Sequence, residues 1–202
     1  MPPFDTALPL LALATAFGYL FGSIPFGIVF ARLFGLGDLR AIGSGNIGAT
    51  NVLRTGSKPA AALTLLFDAG KAGMAVLAAR LLAGEDAAQA AGLAAFFGHC
   101  FPIWLRFRGG KGVATFIGLM LALHWPAGLA TCATWLVIAA IFRYSSLAAL
   151  VSAAMAPIWM IFTGYGMGVA MGIALTVLIY WRHAENIRRL RAGTESRIGE
   201  KA

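Results

Sequence analysis

Residues 8–35 read LPLLALATAFGYLFGSIPFGIVFARLFG, Leu8 to Gly35, with Arg32 as their one charged side chain. A helix that crosses a bilayer needs about 20 predominantly apolar residues, and this run supplies them. It does not read as a cleavable signal, because Met1-Pro2-Pro3-Phe4-Asp5 ahead of it carries no Lys or Arg and the apolar run is too long. It is expected to remain as a first span. Working outward, similar runs occupy 59–83, 87–105, 113–124, 127–142, 146–162 and 166–182, the fourth and fifth of the seven being short. His124-Trp125-Pro126 divides 113–142 and Thr163-Gly164-Tyr165-Gly166 divides 146–182, each as a tight turn with interfacial aromatics. The fold predicted is an all-α, polytopic integral membrane helical bundle of seven transmembrane helices, a single domain over 1–202. The alternative has five, with 113–142 and 146–182 each one long helix.

Composition excludes a water-soluble domain: of 202 residues, 59% are hydrophobic and 12% charged, and the mean hydropathy is +0.79. The 25 glycines suit helices that approach closely in lipid. A net charge of +8 would suggest nucleic acid in a soluble protein, but its placement explains it otherwise. With the N-terminus outside and the C-terminus cytoplasmic, every Lys and Arg except Lys71 and Arg80 falls inside, which is 14 of 16. The five-span version would move Arg143 outside, so seven is preferred. Cys100 and Cys132 lie in apolar sequence, with no CxxC and no partners at metal spacing, so neither a disulfide nor a metal site is expected. No repeat and no interdomain linker is visible.

Three polar segments interrupt the apolar sequence. The first, Arg40 to Lys58, combines glycines with Ser44, Asn46, Thr50, Asn51 and Arg54. Glycine allows close backbone approach and positive φ, so that N–H groups can converge on an anion while hydroxyls, amides and a guanidinium complete the cage. It is neither a Walker A motif nor a dinucleotide fingerprint. The second, Arg106-Phe-Arg-Gly-Gly-Lys-Gly-Val-Ala-Thr115, follows His99 and sets the Lys111 ammonium among Gly109, Gly110 and Gly112. The third, Trp181 to Arg197, puts His183 and Asn186 three residues apart on one helical face. Each has a plainer reading: a flexible polar loop, a basic turn on the inner side, and a basic helix resting on anionic membrane lipid. Asp68 and Lys71, at i,i+3 inside the second span, form an ion pair that either borders the active cavity or is purely structural. Aromatics such as Phe96, Phe97, Trp135 and Trp159 read as packing or interface residues.

Phosphate-holding loops set against an apolar bundle imply ligands with anionic heads and a greasy tail, as in a phospholipid precursor. An acyl transfer of this kind needs a hydroxyl, an activated carbonyl and a departing anion held together. No GxSxG elbow and no Ser-His-Asp or Cys-His set supports a covalent acyl-enzyme. No histidine is followed by Asp in the HxxxxD manner either: Trp104, Leu129 and Arg188 take those positions after His99, His124 and His183.

At these residues the chain resembles the acyl-phosphate-dependent glycerol-3-phosphate acyltransferases of bacteria, the PlsY family, over most of its length. The resemblance rests on Gly43-Ser-Gly-Asn-Ile-Gly-Ala-Thr-Asn-Val-Leu-Arg54 with Asp68-Ala-Gly-Lys71, on Gly98-His-Cys-Phe-Pro-Ile-Trp-Leu-Arg-Phe-Arg-Gly-Gly-Lys-Gly-Val-Ala-Thr115, and on Arg182 to Glu195. It implies attack of the 1-hydroxyl of glycerol 3-phosphate on a fatty acyl phosphate, giving 1-acylglycerol 3-phosphate and inorganic phosphate, without metal, coenzyme A or other cofactor. It implies a bacterial cytoplasmic membrane location with the site facing the cytoplasm, and a soluble enzyme that supplies the acyl phosphate. Ser44, Arg54, Lys111 and His183 are then expected as catalytic groups. Gly45, Asn46, Gly48, Thr50, Asn51, Asp68, Lys71, His99, Gly109, Gly110, Gly112, Ser146 and Asn186 are expected around the substrates, with Glu195 bracing the third segment. The base would be His99, His183 or a phosphate oxygen of the donor, the last being preferred because the transition state then needs chiefly cations and N–H groups. Ala72 departs from the glycine usual in the family after Lys71. A transporter of a phosphorylated solute is the rival reading, but it usually shows paired broken helices in two related halves, which this sequence lacks.

Overall fold

The computed structural model describes residues 2–200, and all regular structure in that range is helical. In chain order the α-helices are α1 (Leu8–Gly22), α2 (Phe26–Leu33), α3 (Ala49–Arg54), α4 (Lys58–Ala83), α5 (Glu85–Cys100), α6 (Val113–Leu123), α7 (Trp125–Phe142), α8 (Ser145–Phe162), α9 (Val169–Arg182) and α10 (Ala184–Arg191). Five stretches are long and apolar enough to cross a membrane: Leu8–Leu33, Lys58–Ala83, Glu85–Leu105, Trp125–Phe142 and Ser145–Phe162. The pair Gly166–Arg182 and Ala184–Arg191, bent by 63°, brings the number to 6 if it is one span, and Val113–Leu123 is a shorter apolar helix.

The helices fold back where the sequence predicts turns. The chain reverses at His124, so that α7 packs beside α6, and again over Thr163–Gly168, so that α9 packs beside α8. Residues 113–142 and 146–182 are therefore not single long helices, so the five-span alternative does not hold in that form, while five to six stretches stand as candidate spans. One other boundary differs from expectation. The first span is broken at Ser23-Ile24-Pro25, since proline has no N–H to continue a helix. The seventh apolar run ends at Arg182, as expected, and the chain bends at His183 into α10, which carries Asn186.

Small residues set the closest helix contacts. A Cβ on Gly18 would lie 2.3 Å from the carbonyl oxygen of Ala91, and one on Gly118 2.1 Å from that of Ala69. The α1–α5 and α4–α6 pairs thus meet backbone to backbone, a packing that lipid, unlike water, leaves to van der Waals contact. Phe96, Phe116, Leu119, Met120, Met160, Leu175 and Ile179 fill the centre. Leu66, Leu81, Leu82, Ile161, Phe162 and Val177 face outward, as a lipid-immersed surface requires. The three polar segments meet at one end of this bundle, and Arg80, Glu85 and Asp86 lie at the other.

Candidate active site

In the first segment, the 3-10 turn Leu39–Ala41 leads into Gly43 and Gly45, with φ of 51° and 67°. Asn51, buried in α3, holds the loop from beneath: its Oδ1 accepts from the Ser44 N–H at 3.1 Å and from the Ser44 hydroxyl at 3.4 Å, and its Nδ2 donates to the Leu39 carbonyl at 2.9 Å. Gly43 lies so close to Arg54 that a Cβ there would come within 2.7 Å of the guanidinium. Thr50 pairs with Ser145 at 3.1 Å, which ties this loop to the start of α8.

The second segment uses glycine differently from the expectation that its N–H groups converge on an anion. The Gly109 and Gly110 N–H groups donate to the carbonyls of Cys100 and His99, both at 3.1 Å. A Cβ on Gly109 would sit 2.1 Å from the His99 carbonyl oxygen, and one on Gly110 2.2 Å from His99 Nε2. Glycine is needed because the loop folds directly onto the end of α5, and the Lys111 side chain is left to carry the charge. Arg182, stacked on Phe101, donates to the carbonyls of Gly109 and Gly110 at 3.0–3.2 Å. Arg40 donates to the Arg108 carbonyl at 2.6 Å, joining the first segment to the second.

The third segment closes the arrangement. Lys111 Nζ donates to Asn186 Oδ1 at 2.5 Å, and Asn186 Nδ2 donates to Glu195 at 2.6 Å. Glu195 also accepts from Ser146 at 2.7 Å and Arg189 at 2.6 Å. Burial alone would push the Glu195 carboxyl up, but these donors outweigh it and hold it below the usual carboxylate range. Ser146 therefore directs its hydroxyl proton to the brace. His183 donates Nδ1–H to the Ile179 carbonyl at 2.8 Å, which leaves Nε2 as its unsubstituted nitrogen.

Beneath the second segment lies a buried cluster. Lys71 Nζ reaches Asp68 at 2.8 Å, His99 Nδ1 at 3.0 Å and the Ile24 carbonyl at 2.8 Å. An ammonium has three protons and no lone pair, so all three contacts are donations and His99 Nδ1 is an acceptor. The Ile24 carbonyl, which the break in the first span takes out of the helix ladder, accepts from the Phe26 N–H at 3.1 Å and from this buried lysine. Asp68 and Lys71 are each 2% exposed, so the pair serves the interior, whereas Ser44 and Arg54 line an open cavity.

That cavity, about 280 Å³, is bounded by Gly43, Ser44, Arg54, Arg189, Thr194, Ser196 and Glu200. Arg54 donates to Ser196 at 2.5 Å, and among the described residues neither Arg54 nor Lys111 has a carboxylate within salt-bridge distance. Burial pushes the Lys111 ammonium down to about 8, with Arg189 nearby acting in the same direction. Such a group is poised to gain a phosphate as counter-ion. Among the described residues no group of three or more His, Cys, Asp or Glu could hold a metal ion. The sequence reading assigned no role to Arg40, Ser145, Arg182, Arg189, Thr194 or Ser196. Arg182 and Arg189 stand inside a quoted motif, but nothing in their spacing distinguishes them from inner-side basic residues.

The glycerol-3-phosphate acyltransferase family model matches residues 12–193. The chain belongs to the glycerol-3-phosphate acyltransferase family. A glycerol-3-phosphate acyltransferase of Cereibacter sphaeroides is 61% identical over 202 residues, covering 100% of this chain and 96% of the relative. The crystal structure of PlsY, an integral membrane glycerol 3-phosphate acyltransferase, in its glycerol 3-phosphate form has a TM-score of 0.88 and 40% identity, covering 94% of this chain and 96% of that one. Its lysophosphatidic acid form matches with a TM-score of 0.85 and 37% identity over 94% and 95% of the two chains. The chain is thus a multi-pass membrane glycerol-3-phosphate acyltransferase, an enzyme of phospholipid synthesis.

Proposed function

We propose that the enzyme transfers a fatty acyl group from acyl phosphate to the 1-hydroxyl of glycerol 3-phosphate. The hydroxyl oxygen attacks the acyl carbon, the bond from that carbon to the phosphate oxygen breaks, and the hydroxyl proton ends on the departing phosphate. The products are 1-acylglycerol 3-phosphate, a lysophosphatidic acid, and inorganic phosphate. The observation that carries this reading is that Arg54 and Lys111, from distant loops, both reach the third segment at one end of the bundle, at Ser196 and Asn186. Two cations that have no carboxylate partner among the described residues suit two phosphoryl-bearing substrates held side by side. The glycerol 3-phosphate and lysophosphatidic acid forms of the PlsY structure support the acceptor and the product.

Arg54 and Lys111 are the principal charge stabilisers in this scheme, with Ser44 at the first loop and His183 and Asn186 positioning glycerol 3-phosphate. Asn46 and Gly48 belong to the same loop, and Asn51, Ser146 and Glu195 hold it and its partner in place. Proton transfer to the donor's own phosphate is favoured because His99 Nδ1 already accepts from Lys71. The chain crosses the membrane seven times, counting α6 as a crossing of only about 16 Å at 1.5 Å per residue. Its ends support this: Lys111 precedes it among the phosphate-binding segments, and His124 follows it beside Thr163 at the other end. By the positive-inside rule, the end bearing Arg40, Arg54, Lys111, Arg143 and Arg189 faces the cytoplasm of a bacterial inner membrane, where a soluble enzyme would deliver acyl phosphate.

The test offers purified protein labelled glycerol 3-phosphate with acyl phosphate, and separately with acyl-CoA. Lysophosphatidic acid with an equal amount of inorganic phosphate from the first donor is expected. Product from acyl-CoA alone would overturn the donor.

A further inference from the structure

Residues 194–200 lie beyond the part of the chain that the family model matches, yet they form one wall of the cavity around Arg54. They are fastened on both sides of Ser196. Before it, the Thr194 N–H donates to the Arg189 carbonyl at 2.9 Å, and Glu195 is bound by Ser146, Asn186 and Arg189. After it, Ile198 and Arg143 bond reciprocally: the Ile198 N–H donates to the Arg143 carbonyl at 2.6 Å, and Arg143 Nη2 donates to the Ile198 carbonyl at 3.1 Å. Arg197 stacks over Tyr144 at 5.5 Å. Ser196 is thus presented to the cavity by a strap clamped to α10 and to the turn before α8.

A serine hydroxyl has one proton and two lone pairs. Ser196 accepts from Arg54, and its own proton has no acceptor among the described residues. A hydroxyl that orients a guanidinium and keeps its proton for the adjoining space is suited to an oxygen that the guanidinium also binds. Of the cavity's other polar groups, Ser44, Arg189 and Thr194 can each donate to an anion, while the one carboxylate in the lining, Glu200, accepts from the Arg197 N–H at 2.8 Å.

We infer that Ser196 is a further substrate-binding residue, donating its hydroxyl proton to a phosphate oxygen of whichever phosphorylated substrate Arg54 grips. The inference rests on the acyltransferase reading above, and it leaves open whether that phosphate is the acceptor's phosphomonoester or the donor's acyl phosphate. Ser196→Ala and Ser196→Thr are compared with the parent enzyme by measuring KM for each substrate with the other saturating, kcat, and competitive inhibition by inorganic phosphate. Losing one hydrogen bond to a charged oxygen should raise KM for one of the two substrates about tenfold, with kcat changed much less. Inorganic phosphate should weaken as an inhibitor against that same substrate, and Thr should restore both within about twofold. A rise for glycerol 3-phosphate or for acyl phosphate identifies which phosphate lies here. Unchanged KM values for both substrates would overturn the inference, and so would a fall in kcat alone, which would mean that Ser196 acts only by holding Arg54. A parent enzyme that makes no lysophosphatidic acid would instead sink the reading of function, so the two failures are distinguishable.

Discussion

The two polar ends of this bundle hold their cations in opposite ways. At one end Arg80 is closed off: its guanidinium forms a two-point pair with Glu85 at 2.7 and 3.1 Å and caps the carbonyls of Ala122 and Leu123 at 2.6 and 2.9 Å. Tyr165 donates to the same carboxylate, His124 stacks on Tyr165, and Thr6 binds Asp86 beside them. At the other end, among the described residues, Arg54 and Lys111 meet a hydroxyl and an amide oxygen and no carboxylate, while the carboxylate of Glu195 is engaged by Arg189, Asn186 and Ser146. A cation given a carboxylate and helix-end carbonyls ties helices together. A cation given neutral partners keeps its field for a ligand, and partial burial amplifies that field.

Substitutions should separate the ends sharply. Lys111→Ala and Arg54→Ala are each expected to cut turnover by on the order of 10²–10³-fold or more, as loss of a charge-stabilising group does. Both proteins should still elute as folded monodisperse species in detergent, and near-normal activity in both would remove the contrast. Glu195→Gln comes next: it keeps the shape but removes the charge that fixes Asn186, Ser146 and Arg189, so kcat/KM should fall by roughly 10- to 100-fold without loss of membrane insertion.

A pH profile sharpens the same contrast. The Lys111 ammonium titrates near 8 in the free enzyme, lowered from its ordinary value, and it is needed in the charged form. The kcat/KM profile should therefore descend as pH rises through about 8, approaching tenfold per unit above it. A bound phosphate favours the ammonium, so the corresponding fall in kcat should lie at higher pH. The smallest effect on turnover belongs to the opposite end. Glu85→Gln should lower the melting temperature in detergent by about 2–4 °C for each kcal/mol of ion pairing lost, with the specific activity of folded protein unchanged. A selective loss of kcat there would show that the two ends communicate.

Much of the molecule was legible in one dimension because lipid enforces simple rules. Apolar runs of sufficient length announced the helices, and the turns at His124 and Thr163–Gly168 were visible as polar and glycine-bearing breaks. The three motifs pointed to anion-holding segments, because glycine, hydroxyl, amide and cation together suit a phosphate, and the reaction itself was what their resemblance to a known family implied. What resisted was partnership. The glycines at 109 and 110 look in sequence like amide donors to a ligand, yet the neighbourhood of His99 makes them spacers. Lys71 reads equally well as a cavity group or a structural one until the carbonyl of Ile24 is seen beside it. Ser196 carries no motif at all, since its position depends on the reciprocal clasp between Ile198 and Arg143, 55 residues apart in the chain.

The sequence by itself determined a membrane-embedded helical protein, the reversals of its chain and the residue types that grip phosphate, because hydropathy and local stereochemistry act over short stretches. Only the tertiary structure decided which cations keep a neutral partner and which are closed by a carboxylate. That division depends on distances between residues far apart in the chain, where a shift of a few ångströms turns a free guanidinium into half of an ion pair.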